Sequence, residues 1–201
     1  NLAVNDENKV KIVQEGALPH LVALLRSTYD PVLIQAAGSI RNLSVHPQNE
    51  FKIVQEGGIK PLVDLLRSPN YKVVEQAAVS LRNLSVNDAN KVYFGTDGAL
   101  APLIALLRSP QLVVQEQAAV ILRNLSLTSD NERNIIQEGG LPAIISLLRT
   151  NEPRLQVHAA VILRNLSVNS DSEVKIVQEG GLPPLINLLR STDIDVQENA
   201  A

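Results

Sequence analysis

The residues with the most to say about chemistry are carboxamides. Asn42, Asn83, Asn124 and Asn165 each open an Asn-Leu-Ser triplet, and the triplets recur every 41 residues, with Asn1-Leu2-Ala3 ahead of them in the same phase. A carboxamide offers two N–H donors and an acceptor oxygen, the set that an extended peptide backbone needs for a bidentate contact. Inside an otherwise apolar helix an Asn is unfavourable by roughly 0.5 kcal/mol, so its return at one phase implies a use. Two other uses stand beside backbone recognition. Each Asn could cap or bond the turn after its own helix. Each triplet is also formally a glycosylation sequon, although a mid-helix Asn makes a poor acceptor.

A cation precedes every one of these residues: Arg41, Arg82, Arg123 and Arg164. In register they would form a basic strip, and the guanidinium fork suits carboxylates. The competing reading pairs them within the chain, with Glu75 or Glu116. Arg26, Arg67, Arg108, Arg149 and Arg190 close a different helix, where the helix dipole accounts for them. His20, His46 and His158 do not form a constellation. The chain has no Cys, which excludes disulfides, thiolate metal sites and Cys nucleophiles. No phosphate loop and no nucleophile–base pair can be argued. The expectation is a protein that is not an enzyme and needs no cofactor and no metal.

The elements that must position these groups follow from the period. Units of about 41 residues read as stacked helical repeats, each too small to bury its own apolar face. The expected units are 1–41, 42–82, 83–123, 124–164 and the incomplete 165–201, together one domain over 1–201. Gly16, Gly57, Gly98, Gly139 and Gly180 share one phase, and a proline follows within a few residues each time. Gly after a helix and Pro just inside the next is the expected asymmetry of helix ends. Three helices per unit result. In the first unit they span about Asp6 to Glu15, capped by Asn5 or Asp6, then Leu18 to Arg26, then Pro31 to Ser44 with Asp30 as cap. The third is apolar on most sides and so buried, and the pairs Ala36-Ala37, Ala77-Ala78, Ala118-Ala119 and Ala159-Ala160 allow close approach.

The pattern of a short helix, a Gly-Gly or Gly-Ala turn, Leu-Pro-x-Leu-[Val/Ile]-x-Leu-Leu-Arg, a second turn and [Val/Ile]-Gln-x-x-Ala-Ala-x-x-[Leu/Ile]-Arg-Asn-Leu-Ser resembles the armadillo repeat, five times over. The regular spacing and the lack of Cys, Met and Trp also suit a consensus-type, reconstructed or engineered array. The resemblance implies an all-α, right-handed armadillo superhelix, an α-solenoid whose third helices line a concave groove. That groove holds an extended peptide through an asparagine ladder, which maps onto Asn42, Asn83, Asn124 and Asn165. Two turns earlier, Gln35, Gln76, Gln117, His158 and Asn199 match a polar groove position of secondary contacts. One turn earlier stand Gly38, Val79, Val120 and Val161, where the family's nuclear-import branch carries Trp, so lysine-stem pockets are not expected. Gly38 would leave a notch in the groove floor.

Composition bounds the partners. The 201 residues are 45% apolar and 19% charged, with 18 Lys+Arg against 21 Asp+Glu and a net charge of −3. No strong pull toward nucleic acid or anionic membrane follows. Aromatics at 2% are too few for base stacking, and no apolar run is long enough to insert in a bilayer. The expected partners are extended peptide segments of other proteins, acidic ones if the arginine strip is free, with no nucleic acid and no membrane insertion, in a cytoplasmic or nuclear setting. The alternative is a structural array with no evolved ligand. Two local expectations complete the reading. The first helix of the third unit, which carries Phe94-Gly95, should be short or irregular. Leu2, Val4, Val196 and Ala200 should be exposed at uncapped ends and favour head-to-tail self-association.

Overall fold

The chain divides into two compact units, Asn1–Pro102 and Leu103–Ala201. The computed structural model describes residues 2–201, the side chain of Val4 excepted. In the first unit a 3-10 turn (Leu2–Val4) leads into α1 (Asp6–Gln14), α2 (Ala17–Leu24) and α3 (Asp30–Leu43), then α4 (Pro47–Gln55), α5 (Ile59–Leu65) and α6 (Tyr71–Leu84). A second 3-10 turn (Asp88–Asn90) and α7 (Lys91–Thr96) follow, and the chain leaves the first unit within α8 (Leu100–Leu106). The second unit continues with α9 (Leu112–Leu125), α10 (Ser129–Gln137), α11 (Gly140–Leu147), α12 (Pro153–Leu166), α13 (Ser170–Gln178), α14 (Leu182–Leu188) and α15 (Ile194–Ala200). The regular structure of the described residues is therefore all-α, in repeats of two short helices and one long one. The third helices α3, α6, α9 and α12 have 14 residues each, and α15 has seven.

Local chemistry sets the helix ends. Asn5 Oδ1 accepts from the Asn8 backbone N–H at 3.1 Å and starts α1, and Asn169 does the same for α13 through Asp171 N–H at 2.9 Å. The start of α3 differs from expectation. Asp30 is its first helical residue and Tyr29 its cap. The Asp30 carboxylate instead accepts from Asn70 Nδ2 at 2.7 Å, which ties the entry of α3 to the entry of α6. Between the first two helices of a repeat the chain reverses through glycine. Gly139 has φ +72°, a left-handed conformation that costs a residue with a Cβ roughly 1–2 kcal/mol.

The first helix of the third repeat departs from its neighbours. It is split into the 3-10 turn at Asp88–Asn90 and the six-residue α7, against nine residues in α1, α4, α10 and α13. The irregularity lies at the entry, while Gly95 sits inside α7. Phe94 is fully buried and takes the place that Ile53 and Ile135 hold elsewhere.

The third helices carry the core of each unit. Ala36, Ala37, Ile40 and Leu43 of α3 are buried, as are Ala77, Ala78 and Leu81 of α6. With only methyl groups between them, α3 and α6 come close enough for Ser80 Oγ to donate to the Ala37 carbonyl at 3.0 Å. In the second unit α12 packs against both α9 and α15. That packing corrects one expectation about the ends. Val196 is completely buried, because it fills the core place of Leu155 in its own repeat, and Ala200 is half-buried. Leu2 is exposed as expected. Asn1 and the Val4 side chain lie outside the described residues.

Candidate functional site: carboxamides of the third helices

Each Asn-Leu-Ser triplet ends a third helix, and the serine closes it. Ser44, Ser85, Ser126 and Ser167 are the C-caps of α3, α6, α9 and α12. Each hydroxyl donates back to the carbonyl three residues earlier: Ser44 Oγ to Arg41 O at 2.9 Å, Ser126 Oγ to Arg123 O at 2.8 Å. A hydroxyl that donates one bond still offers lone pairs. In the first unit Asn83 Nδ2 donates to Ser44 Oγ at 3.1 Å and to Arg41 O at 3.2 Å. In the second unit Asn165 Nδ2 donates to Ser126 Oγ at 2.9 Å. The amide of one repeat is thus fastened to the helix end of the repeat before it. Asn42 has Ala3 where Asn83 has Ser44, so it has no such hydroxyl. Its Oδ1 accepts instead from Arg41, at 3.4 Å from Nε and 3.3 Å from Nη2. Asn124 is half-buried on α9.

The amide oxygens tell the other half. Asn83 and Asn165 are half-buried, and among the described residues no donor reaches either Oδ1. Both N–H groups of Asn83 are engaged by the preceding repeat. What Asn83 presents outward is therefore an acceptor, not a donor–acceptor pair.

The residues around the carboxamides fall into three groups. Gln35 is exposed, Gln76 and His158 are half-buried, and Gln117 is buried. Gln76 Oε1 lies 3.4 Å from where a Cβ on Gly38 would stand, so the Gln76 side chain leans over the Gly38 notch. Arg41 and Arg123 are half-buried and Arg82 and Arg164 exposed. Arg123 Nη1 lies 3.4 Å from His158 Nδ1, which joins an expected Arg position to an expected polar position. Glu116 pairs with Arg154 at 3.4 Å. Among the described residues no carboxylate lies within ion-pair distance of Arg41 or Arg123. Neither guanidinium charge is therefore compensated by a carboxylate at that distance.

A second polar series escaped sequence reasoning. Asn49, Asn90, Asn131 and Ser172 share a phase on the first helices and are all buried. Asn49 Nδ2 donates to Leu43 O and to Lys9 O, both at 3.1 Å, bridging the end of α3 to α1. Asn90 Nδ2 donates to Leu84 O at 3.1 Å, and its buried Oδ1 has no partner. Lys9 and Lys91 are buried nearby and bonded to Asp6 at 2.5 Å and Asp88 at 2.6 Å. The hydrogen bonds from these ammonium groups, reinforced by their charge, hold both carboxyls below the usual carboxylate range. The signal was the same 41-residue recurrence that marks the triplets. Among the described residues no group of three or more His, Asp or Glu could hold a metal ion, and no helix is long and apolar enough to cross a membrane.

Three-helix repeats with a polar residue at a fixed phase of each long helix define a helical-repeat scaffold. The chain belongs to the armadillo/beta-catenin-like repeat family, which matches at residues 5–45, 46–86, 87–127, 128–168 and 169–201. A comparison with curated proteins gave no match. Solved structures similar to it include designed proteins. One, from a set of computationally designed armadillo repeat proteins for modular peptide recognition, is 26% identical with a TM-score of 0.95, covering 99% of this chain and 85% of that one. Another, a designed armadillo repeat protein in complex with the peptide (KR)4, is 26% identical with a TM-score of 0.92 over 99% and 85% of the two chains. An engineered protein from the Northeast Structural Genomics Consortium is 31% identical with a TM-score of 0.92 over 99% and 82%.

Proposed function

We propose that this armadillo scaffold binds extended peptide segments of partner proteins along its third helices. Asn42 and Asn83 serve in the first unit, and Asn124 and Asn165 in the second. The observation that carries the reading is the state of Asn83 and Asn165. Each has its amide nitrogen anchored to the preceding repeat and its oxygen unclaimed. A preoriented acceptor suits a peptide N–H and saves the ordering cost that a free side chain would bear. Gln35, Gln76, Gln117 and His158 are the secondary contacts of this proposal. Peptide recognition by a designed structural neighbour supports the same class of ligand.

The preferred peptide is acidic, a point on which this chain parts from that neighbour's basic ligand. Arg41 and Arg123 carry charge that no described carboxylate neutralises, and Arg82 and Arg164 occupy the same phase. The alternative is an array without an evolved ligand. The test is a fluorescence-anisotropy screen of acidic, basic and neutral extended peptides against the wild-type chain and the N83A and N165A variants. Acidic peptides bind tightest, and each variant binds at least about fivefold more weakly, roughly 1 kcal/mol, with its far-UV helix signal intact. Equal, negligible binding of all three peptides would leave the ligand-free alternative standing. Unchanged affinity in both variants would remove the carboxamides from the site.

A further inference from the structure

Gly38 stands in the interior of α3, and nothing in the fold requires a glycine there. Apart from proline, glycine is the least favourable residue inside a helix. Two structural needs ordinarily account for it, a left-handed backbone or a neighbour too close for a Cβ. Neither applies. The glycines with positive φ are Gly16, Gly57, Gly98, Gly139 and Gly180. Gly58 is an example of the second need, since a Cβ there would stand 2.8 Å from the Ile53 carbonyl oxygen. Beyond its own stretch of helix, a Cβ on Gly38 would meet one atom within 4 Å. That atom is Gln76 Oε1 at 3.4 Å, the far end of a flexible side chain in ordinary contact. The fold would accept a larger residue, and valine holds this phase at Val79, Val120 and Val161.

The surroundings of Gly38 define what the missing side chain leaves room for. On the same face of α3, Ile34 lies one turn before it, and Arg41 and Asn42 lie one turn after. All four residues are half-buried. The Arg41 guanidinium is held in place by the Asn42 oxygen, at 3.4 Å from Nε and 3.3 Å from Nη2. Among the described residues no carboxylate is within ion-pair distance of it. From the facing helix α6, the Gln76 carboxamide reaches over Gly38. The notch is thus bare helix backbone bordered by an aliphatic side chain, a fixed guanidinium and a carboxamide.

We propose that Gly38 sets side-chain specificity in the first unit: its notch receives an aromatic side chain of the bound peptide, laid on the α3 backbone between Ile34, Arg41 and Gln76. The proposal rests on the peptide-binding reading above and adds a requirement that the acidic preference does not contain. A peptide held by Asn42 passes one turn from Gly38, within reach of a large side chain. A ring suits this notch on three counts. It is flat, so it can lie where no Cβ projects. Its face attracts a guanidinium. Its positive edge faces an amide oxygen favourably. A side chain at position 38 would lift the ring off the backbone, and valine fills the space with three carbons.

The test compares an alternating Glu-Ala peptide with the same peptide carrying Trp in place of one central Ala. Both are titrated by fluorescence anisotropy against the full chain and its G38A and G38V variants. The wild type binds the Trp peptide at least about tenfold more tightly than its parent. G38V binds the two peptides alike, and G38A narrows the gap between them. Both variants keep the wild-type helix signal, since Val79 holds the same phase in α6. The urea midpoint of G38A rises above that of the wild type, because alanine is the better helix former. A gain in stability together with a loss of discrimination separates recognition from a structural role. Equal wild-type affinities for the two peptides overturn the proposal and leave peptide binding standing, whereas binding of neither peptide overturns both. A Trp preference that survives in G38V, or a loss of both peptides by the same factor, also overturns it.

Discussion

Within the first and third helices asparagine has two recurring jobs, and the hydrogen-bond partners separate them. On the first helices it is buried and bridges backbone carbonyls, as Asn49 does between Leu43 and Lys9. On the third helices Asn83 and Asn165 are half-buried and fastened through their nitrogens, while Asn42 accepts from Arg41 through its oxygen. Removing the hydroxyl that receives Asn83 tests that fastening. Ser44→Ala deletes both the Ser44 cap bond and one Asn83 bond, and a urea melt shows a loss of about 1–2 kcal/mol with unchanged helix content. A second residue-scale prediction concerns pH. The Asp88 carboxyl is held below its ordinary value of 3.8 by the Lys91 ammonium. A lowered folded-state value stabilises the fold fully above 3.8, and that stabilisation is lost as pH falls through the lowered value. Asp88→Asn therefore lowers Tm at pH 7, and the difference from wild type vanishes in melts at about pH 2.

At the scale of elements, the reversal between first and second helices is the most demanding point. Gly139 adopts φ +72° with open space around it, so Gly139→Ala costs backbone strain alone. Thermal or urea unfolding registers a loss of about 1–2 kcal/mol, while Gly140→Ala adds a clash, since its Cβ would stand 2.8 Å from the Ile135 carbonyl oxygen. The phase of Gly139 was legible in the sequence because glycine and proline punctuate every repeat. Helix number and order were legible for the same reason. The start of α3 was not, because Asp30-Pro31 reads equally as cap plus first turn or as first and second helical residues. In the structure the Asp30 carboxylate, which a cap would turn to its own helix, accepts from Asn70, 40 positions away. Nor was the burial of Val196, since a seven-residue helix fills the same core place with Val196 that a fourteen-residue one fills with Leu155. The asparagines of the first helices were visible as a recurrence, but polar residues on a short polar helix carry no pattern that separates a buried bridge from a solvated face.

The whole molecule has a net charge of −3, yet its uncompensated cations Arg41 and Arg123 lie beside the candidate peptide contacts. Local charge, not the total, decides the sign of a preferred ligand at distances within the roughly 8 Å screening length of physiological salt. Binding of an acidic peptide consequently weakens as sodium chloride rises from about 50 to 500 mM, measured by anisotropy at constant protein concentration. A salt-independent affinity would instead assign the binding to the neutral carboxamides alone.

The fastening of Asn83 to Ser44 and of Asn165 to Ser126 bears on how such a chain is inherited. Each clamp is split between two consecutive repeats, one supplying the amide and the other the hydroxyl. An unequal crossover between equivalent phases of a gene encoding this chain inserts or deletes a whole number of repeats. Wherever the cut falls among the Asn-Leu-Ser repeats, the new junction again brings an asparagine after a serine, so no amide is orphaned by the recombination. The array can grow or shrink by duplication without a compensating point mutation. The repeat after Ala3 is the exception, because Asn42 has turned to Arg41 for its partner. A duplication that carried Ala3 into the interior would leave one junction without its clamp.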